Sequence, residues 1–167
     1  KQMRGFNTYV FDENDWGTGG LTGDAAAEAL RNFLQQAKAQ YNLRYLLIIG
    51  DPRVHTGPVP MKRTYPRTTG AVGQTPVFGS TSCNFSQSQV PSDFYYAELD
   101  GNWDLDNDGQ YGEFGEATAV GSSTGDFGAG GIELDYDLSV GRIPTYGSNN
   151  EPVLLADGIN KIDHILT

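Results

Sequence analysis

The sequence predicts an α/β fold, a parallel or mixed sheet flanked by helices and joined by long irregular loops. Three stretches carry that expectation. Ala26, Leu30, Phe33, Leu34, Ala37 and Tyr41 recur at the spacing of one helix face. Tyr45-Leu46-Leu47-Ile48-Ile49 is a continuous apolar run closed by Gly50-Asp51-Pro52, the pattern of a strand buried on both faces of a parallel sheet. Ile132 to Val140 (IELDYDLSV) alternates apolar and acidic residues, the period-two signature of a half-exposed strand.

Taken in order, the first element is Thr8 to Phe11 (TYVF), a short β-prone run before the acidic loop Asp12 to Asp15. The glycines at 17, 19, 20 and 23 then mark a loop. Thr22 or Asp24 can cap the following helix, because a side-chain oxygen there accepts from its first unpaired backbone N–H groups. Strand, helix and strand at this spacing predict a right-handed βαβ unit. Asp51 then sits at the carboxyl edge, where open α/β sheets place their sites. A Gly-Asp turn is ordinary chain geometry too, so Asp51 alone does not specify chemistry.

Residues 52 to 92 are rich in Pro, Gly, Thr and Ser and carry Arg53, Lys62, Arg63 and Arg67. About forty residues without periodicity is long for a compact domain, so the segment is functional, mobile or paired to something else. Phe94 to Leu99 (FYYAEL) reads as a second sheet strand, and Gly121 to Gly131 as a flexible connection. Asn150-Glu151-Pro152 supplies a cap and an early proline for a closing helix. Its buried stripe is Leu155, Ile159, Ile162 and Leu166.

The totals exclude several classes. At 167 residues the chain suits one domain that buries roughly 70% of its unfolded surface. The net charge is −10, and its distribution is uneven. No Lys or Arg occurs between Arg67 and Arg142, where 12 of the 21 acidic residues fall. That face repels nucleic acid and attracts a cation. Cys83 is the single cysteine, so no internal disulfide forms. No run reaches the length of a membrane-spanning helix, and Lys1 onward lacks a signal-peptide pattern. The start at Lys1-Gln2 and the end at Thr167, inside a helical pattern, give the expectation of a piece of a longer parent.

The densest chemistry lies between Asp93 and Glu116. Asp100, Asn102, Asp104, Asp106 and Asp108 recur at every second position, with Glu98 before them and Glu113 and Glu116 after. Alternate residues point apart on a helix, so these line an extended segment or wrap inward in a turn-rich loop. Crowded carboxylates repel unless a cation neutralises them, and hard oxygen donors suit Ca²⁺ rather than zinc or copper. Asp104-x-Asp106-x-Asp108-Gly109 reproduces the first six positions of an EF-hand loop, glycine included. The twelfth position is Gly115 where a bidentate Glu belongs, and no helix pattern precedes the loop. The expected ligands are therefore Asp100, Asn102, Asp104, Asp106, Asp108 and Glu113, outside an EF-hand. The alternative is a solvated acidic surface loop, which the neighbouring Trp103, Tyr111 and Phe114 oppose.

No catalytic centre emerges from the residues alone. The two histidines, His55 and His164, are not brought beside Cys83 by any spacing. Serines 80, 82, 86 and 88 lie outside any Gly-x-Ser-x-Gly turn. Gly50 leads into Asp-Pro, not into a phosphate-cradling loop before a helix. Carboxylates that ligate calcium are not free to serve as general acid and base.

Several stretches in series resemble the gingipain family of cysteine peptidases, secreted proteins of bacteria. They are the helix from Ala25 to Leu34, the run Tyr45 to Asp51, and Val90-Pro91-Ser92-Asp93-Phe94-Tyr95-Tyr96. Leu99-Asp100-Gly101-Asn102-Trp103-Asp104, Asp106 to Glu113, and Asp137-Leu138-Ser139-Val140-Gly141-Arg142-Ile143-Pro144 follow. The resemblance implies a caspase-like fold of which residues 1–167 form the first, non-catalytic half. It implies a catalytic Cys-His dyad after the Gly-Arg-Ile-Pro strand and its helix, so none of His55, His164 and Cys83 inherits a catalytic role. The expected function is the scaffold half of a secreted or cell-surface bacterial cysteine peptidase. Its partners are a calcium ion, the catalytic half of the same parent and, through it, a protein or peptide substrate. The rival expectation is a non-enzymatic, calcium-stabilised secreted module for binding or structure.

Overall fold

The computed structural model describes residues 7–17, 20–65, 90–113 and 125–145. Helix α1 spans Gly23–Tyr41. Strands β1 (Tyr45–Gly50) and β4 (Ser139–Pro144) pair in parallel, with Tyr45 opposite Ser139 and Gly50 opposite Pro144. Strands β2 (Lys62–Thr64) and β3 (Val90–Ser92) form an antiparallel pair. Helix α2 is the single turn Phe94–Ala97. The protein is α/β, with a parallel and a small antiparallel sheet flanked by helices. Among the described residues no helix is long and apolar enough to cross a membrane.

Helix α1 starts where the sequence places it. Thr22 is the N-cap in extended conformation, although its side chain caps no N–H, and Asn42 ends the helix in the left-handed region. Ala26, Ala27, Leu30, Leu34 and Ala37 are buried, and they meet Ile48, Tyr95, Tyr96, Leu99, Trp103 and Leu138 in the core. Arg31 is buried among them. Its guanidinium donates to the carbonyls of Tyr95, Glu98 and Gly101, which ties α1 to the chain entering the acidic loop.

Five sequence expectations need correction. Thr8 to Phe11 forms no strand. Tyr9 and Phe11 stack instead on α1, 4.5 Å from Tyr41 and 5.0 Å from Phe33 between ring centroids, so the β-prone aromatics are satisfied by a helix and the expected βαβ unit does not form from them. The parallel partner of β1 comes from far along the chain, at β4. Nor is β1 buried on both faces: Tyr45, Leu47 and Ile49 are exposed, while Ile48 and Gly50 point inward.

Phe94–Ala97 is a helical turn rather than a strand. In a strand, neighbouring side chains point to opposite faces, yet Tyr95, Tyr96, Ala97, Glu98 and Leu99 are all buried. A turn achieves that. It is started by Ser92 Oγ accepting from Phe94 N–H at 3.1 Å and closed by Glu98 N–H on the Phe94 carbonyl at 3.0 Å. Ile132 to Leu138 is likewise not a strand, and pairing begins at Ser139. Leu134 and Tyr136 are exposed like their acidic neighbours, so the alternation marks no buried face. The amides of Asp137 and Leu138 both donate to the Ala97 carbonyl, which turns the chain into β4.

Within residues 52 to 92, β2 pairs with β3, so the described part of the segment is paired to itself rather than to another body. The described part of the glycine-rich connection, from Gly125, is a tight turn. Gly131 N–H donates to the Gly128 carbonyl at 2.9 Å, and Ile132 bridges to Phe127. Cys83, the four coil serines, Glu116, His164 and the expected closing helix lie outside the described residues.

Candidate metal centre

The acidic run leaves α2 through two anchors. Glu98 is buried and accepts from Gly101 N–H at 2.6 Å and from Trp103 Nε1 at 2.7 Å, with Arg31 at 3.6 Å. Trp103, only 4% exposed, packs against Phe94 and Tyr95. From this fixed point Asp104 to Gly112 loops outward and returns, with Gly112 N–H donating to the Trp103 carbonyl at 2.9 Å.

The turn itself follows from the sequence. Asn107 and Gly109 adopt φ of 62° and 84°, the left-handed region that asparagine and glycine tolerate best. Asp104 accepts from Gly109 N–H at 3.1 Å, and Asp108 accepts from both the backbone N–H and the side-chain amide of Gln110 at 2.7 Å. This wraps the chain so that one carboxylate oxygen each from Asp104, Asp106 and Asp108 lies within 4.8 Å of the others. The other expected ligands stand differently. Asn102 caps the loop, its Oδ1 accepting from Asp104 N–H at 3.1 Å. Asp100 is turned toward Lys38 at 3.6 Å and is 81% exposed.

Glu113 is the informative residue. It is 1% exposed, and its Oε1 is buried without a hydrogen-bond partner among the described residues. Burial, then the charges of Asp108, Asp106, Asp126 and Asp104, push its carboxyl up to about 7 from the ordinary 4.5. A buried orphan carboxylate oxygen is costly, and facing other carboxylates adds to the cost. A hard divalent cation relieves both at once. The donor set is oxygen only, from short flexible acids around a sharp turn, and it fits Ca²⁺.

Asp126 was not singled out in the sequence, and no local pattern marks it: it is a lone acid between Gly125 and Phe127. It is fully buried. Burial holds its carboxyl above the ordinary range, against the pull of backbone N–H bonds from Glu113, Leu105 and Gly112, and Asp106 adds to the rise. The sequence reading also missed Lys62. It is 1% exposed, 2.8 Å from Glu28 and 3.7 Å from Asp24, with its ammonium 3.5 Å from the Tyr111 ring centroid. Tyr65 N–H donates to the Tyr111 carbonyl at 2.8 Å. The loop's return limb is thus fastened to β2.

The carboxyl edge of β1 holds no free acid. Asp51 is buried and its carboxylate is taken by Arg53, whose backbone N–H donates at 3.0 Å and whose Nη2 lies 2.6 Å away. His55 is exposed in the turn beyond it. Arg142 on β4 makes a bidentate pair with Asp93, at 2.7 Å for each bond, and donates to the Val59 carbonyl. The Gly-Arg-Ile-Pro strand is thereby locked to the start of α2.

Compared with known proteins, the chain matches the model of peptidase family C25 over residues 1–153. No curated protein and no solved structure matches it. The chain belongs to peptidase family C25, the gingipain family of cysteine peptidases.

Proposed function

We propose that this member of family C25 is the scaffold half of a secreted or cell-surface bacterial cysteine peptidase, and that its acidic loop carries a structural Ca²⁺. Asp104, Asp106, Asp108 and Glu113 would hold the ion, which neutralises their charge and fixes the loop against Trp103 and β2. The observation that carries the cation reading is the buried Oε1 of Glu113, unpartnered among the described residues, on the return limb of the loop where Asp104, Asp106 and Asp108 converge and whose charges act on it.

Peptide-bond cleavage by the parent is thiolate attack on the carbonyl, with a histidine moving the proton. The family resemblance assigns that dyad to residues beyond the strand that here is β4, and the exposed His55 agrees with a non-catalytic role. This half contributes rigidity: the Arg142–Asp93 pair, the Arg31 bonds and the Lys62 site clamp β4, α2 and β2 around α1.

A peptidase assay with Ca²⁺ and reductant tests the proposal, comparing this chain with one extended by about 200 residues, toward the upper end of domain size. Activity in the longer chain alone is the expected result. Activity in neither favours the non-enzymatic calcium-stabilised module, and activity in the shorter chain would assign the dyad to Cys83. The calcium site is tested separately by Asp104→Ala and Asp108→Ala. Each should lower the melting temperature in Ca²⁺ but not in chelator. A cation at a hundredfold excess over Kd stabilises by about 2.7 kcal/mol.

A further inference from the structure

We infer that Asp126, which lies outside the acidic run, is the positioning residue of the cation loop. Its carboxylate presets both ends of the loop so that Asp104, Asp106 and Asp108 converge, with Glu113 on the returning limb, before any cation arrives. This rests on the calcium reading above, and so on the buried orphan oxygen of Glu113 that marks the site.

Both oxygens of Asp126 are occupied by backbone donors. Oδ1 accepts from Leu105 N–H at 2.6 Å, and Oδ2 accepts from Gly112 N–H at 2.7 Å and Glu113 N–H at 2.9 Å. Leu105 precedes Asp106 and Asp108, and Gly112 and Glu113 follow them. One buried carboxylate therefore pins the outgoing and returning limbs of the loop together. Three of its roughly four acceptor sites are taken by backbone N–H groups, and it stands outside the converging set of Asp104, Asp106 and Asp108, so Asp126 acts on the ion through the loop rather than as a ligand.

The clamp is itself held. Asp126 N–H donates to the Glu113 carbonyl at 2.8 Å, and its carbonyl accepts from Ile132 N–H at 2.6 Å. Gly131 lies so close that a Cβ there would overlap the Asp126 carbonyl oxygen. The physical need is clear: Asp104, Asp106 and Asp108 repel one another, and without a cation the loop tends to open. Three charge-assisted bonds to backbone N–H groups oppose that opening. A loop already closed loses less entropy on binding, so affinity is higher. Partners that orient metal ligands in this way typically contribute ten- to hundredfold in affinity.

The test titrates wild type and Asp126→Asn with Ca²⁺ by calorimetry and with Tb³⁺ by emission sensitised through Trp103 and Tyr111. Asp126→Asn should weaken binding about tenfold or more and delay the Tb³⁺ emission to higher concentration. Hydrogen exchange on wild type keeps the test decisive if the variant does not fold. The Leu105 and Glu113 amides should be protected in chelator, whereas those of Gly109 and Gln110, bonded to exposed Asp104 and Asp108, should exchange faster there and slow on adding Ca²⁺. If wild type binds neither ion, the calcium reading itself fails. If wild type binds and Asp126→Asn binds equally well, or if the Leu105 and Glu113 amides exchange freely in chelator, the positioning role is overturned and the calcium reading stands.

Discussion

Replacing Glu113 with Gln separates the cost of burying this acid from its use. In the cation-free protein its carboxyl titrates at about 7 instead of 4.5. The folded state therefore keeps a proton that the unfolded chain has released, and stability falls as pH rises from about 4.5 through about 7. Each pKa unit is worth 1.36 kcal/mol, so the penalty on the folded state at pH 8 is roughly 3 kcal/mol. Glu113→Gln keeps the volume and carries no charge, so it escapes the penalty. In chelator it should melt higher than wild type at pH 8, by about 6–12 °C for a chain of this size, and by much less at pH 4.5. In Ca²⁺ the order should reverse, because the ion recovers the wild-type penalty and the amide forms a weaker ligand. Thermal unfolding by circular dichroism at both pH values, with and without chelator, provides the readout. A variant that melts below wild type in chelator at pH 8 would refute the reasoning, since it would mean that the Glu113 charge is already compensated by protein groups.

Other consequences follow from the same structure. Lys62→Ala should destabilise, by less than the about 3–5 kcal/mol of a fully buried pair, because its partner Glu28 is 43% exposed. Lys62→Met should recover much of that loss by keeping the stem against Tyr95 and Tyr111; urea unfolding of both checks it. Gly131→Ala should destabilise by about 2–3 kcal/mol, because its Cβ would overlap the Asp126 carbonyl. A normal urea midpoint would show that the turn has slack. On the acid side, burial opposes ionisation of Asp24, but the hydrogen bond from Arg63 and the charges of Lys62 and Arg63 hold its carboxyl below the ordinary 3.8. Its contribution is therefore complete above 3.8 and is lost as pH falls below it. Asp24→Asn should flatten that acid limb in a pH series of melting temperatures.

Elements whose signal is local were legible in the sequence. Helix α1 was readable from Ala26 to Tyr41 because one stripe at helical spacing needs no distant partner to define it. Strand β1 was readable from its apolar run and its Gly-Asp stop. The sharp turn at Gly109 was visible too, since the Asp-x-Asp-x-Asp-Gly pattern marks it, whereas the left-handed Asn107 came from the structure. Elements decided by their partners were not. Phe94–Ala97 is rich in β-favouring aromatics, yet burying Tyr95 and Tyr96 side by side requires a helical turn. Thr8 to Phe11 found Tyr41 and Phe33 before it found a sheet. Ile132 to Leu138 lost its strand because the Ala97 carbonyl took the amides of Asp137 and Leu138.

The same division runs through the candidate metal centre. The sequence by itself determined the chemistry: an oxygen-only donor set, concentrated in a segment without a single basic residue, on an α/β scaffold of the gingipain family. Periodicity and composition are properties of neighbouring residues, so they survive without coordinates. Only the tertiary structure decided which of the acids stand together. It turned Asp100 to Lys38, gathered Asp104, Asp106 and Asp108, buried Glu113 with an oxygen unsatisfied, and brought Asp126 from beyond the loop to bond both of its limbs. Lys62, Glu98 and Arg31 became buried partners in the same way. Burial and the pairing of charges depend on what the fold brings close, and no spacing along the chain encodes that distance.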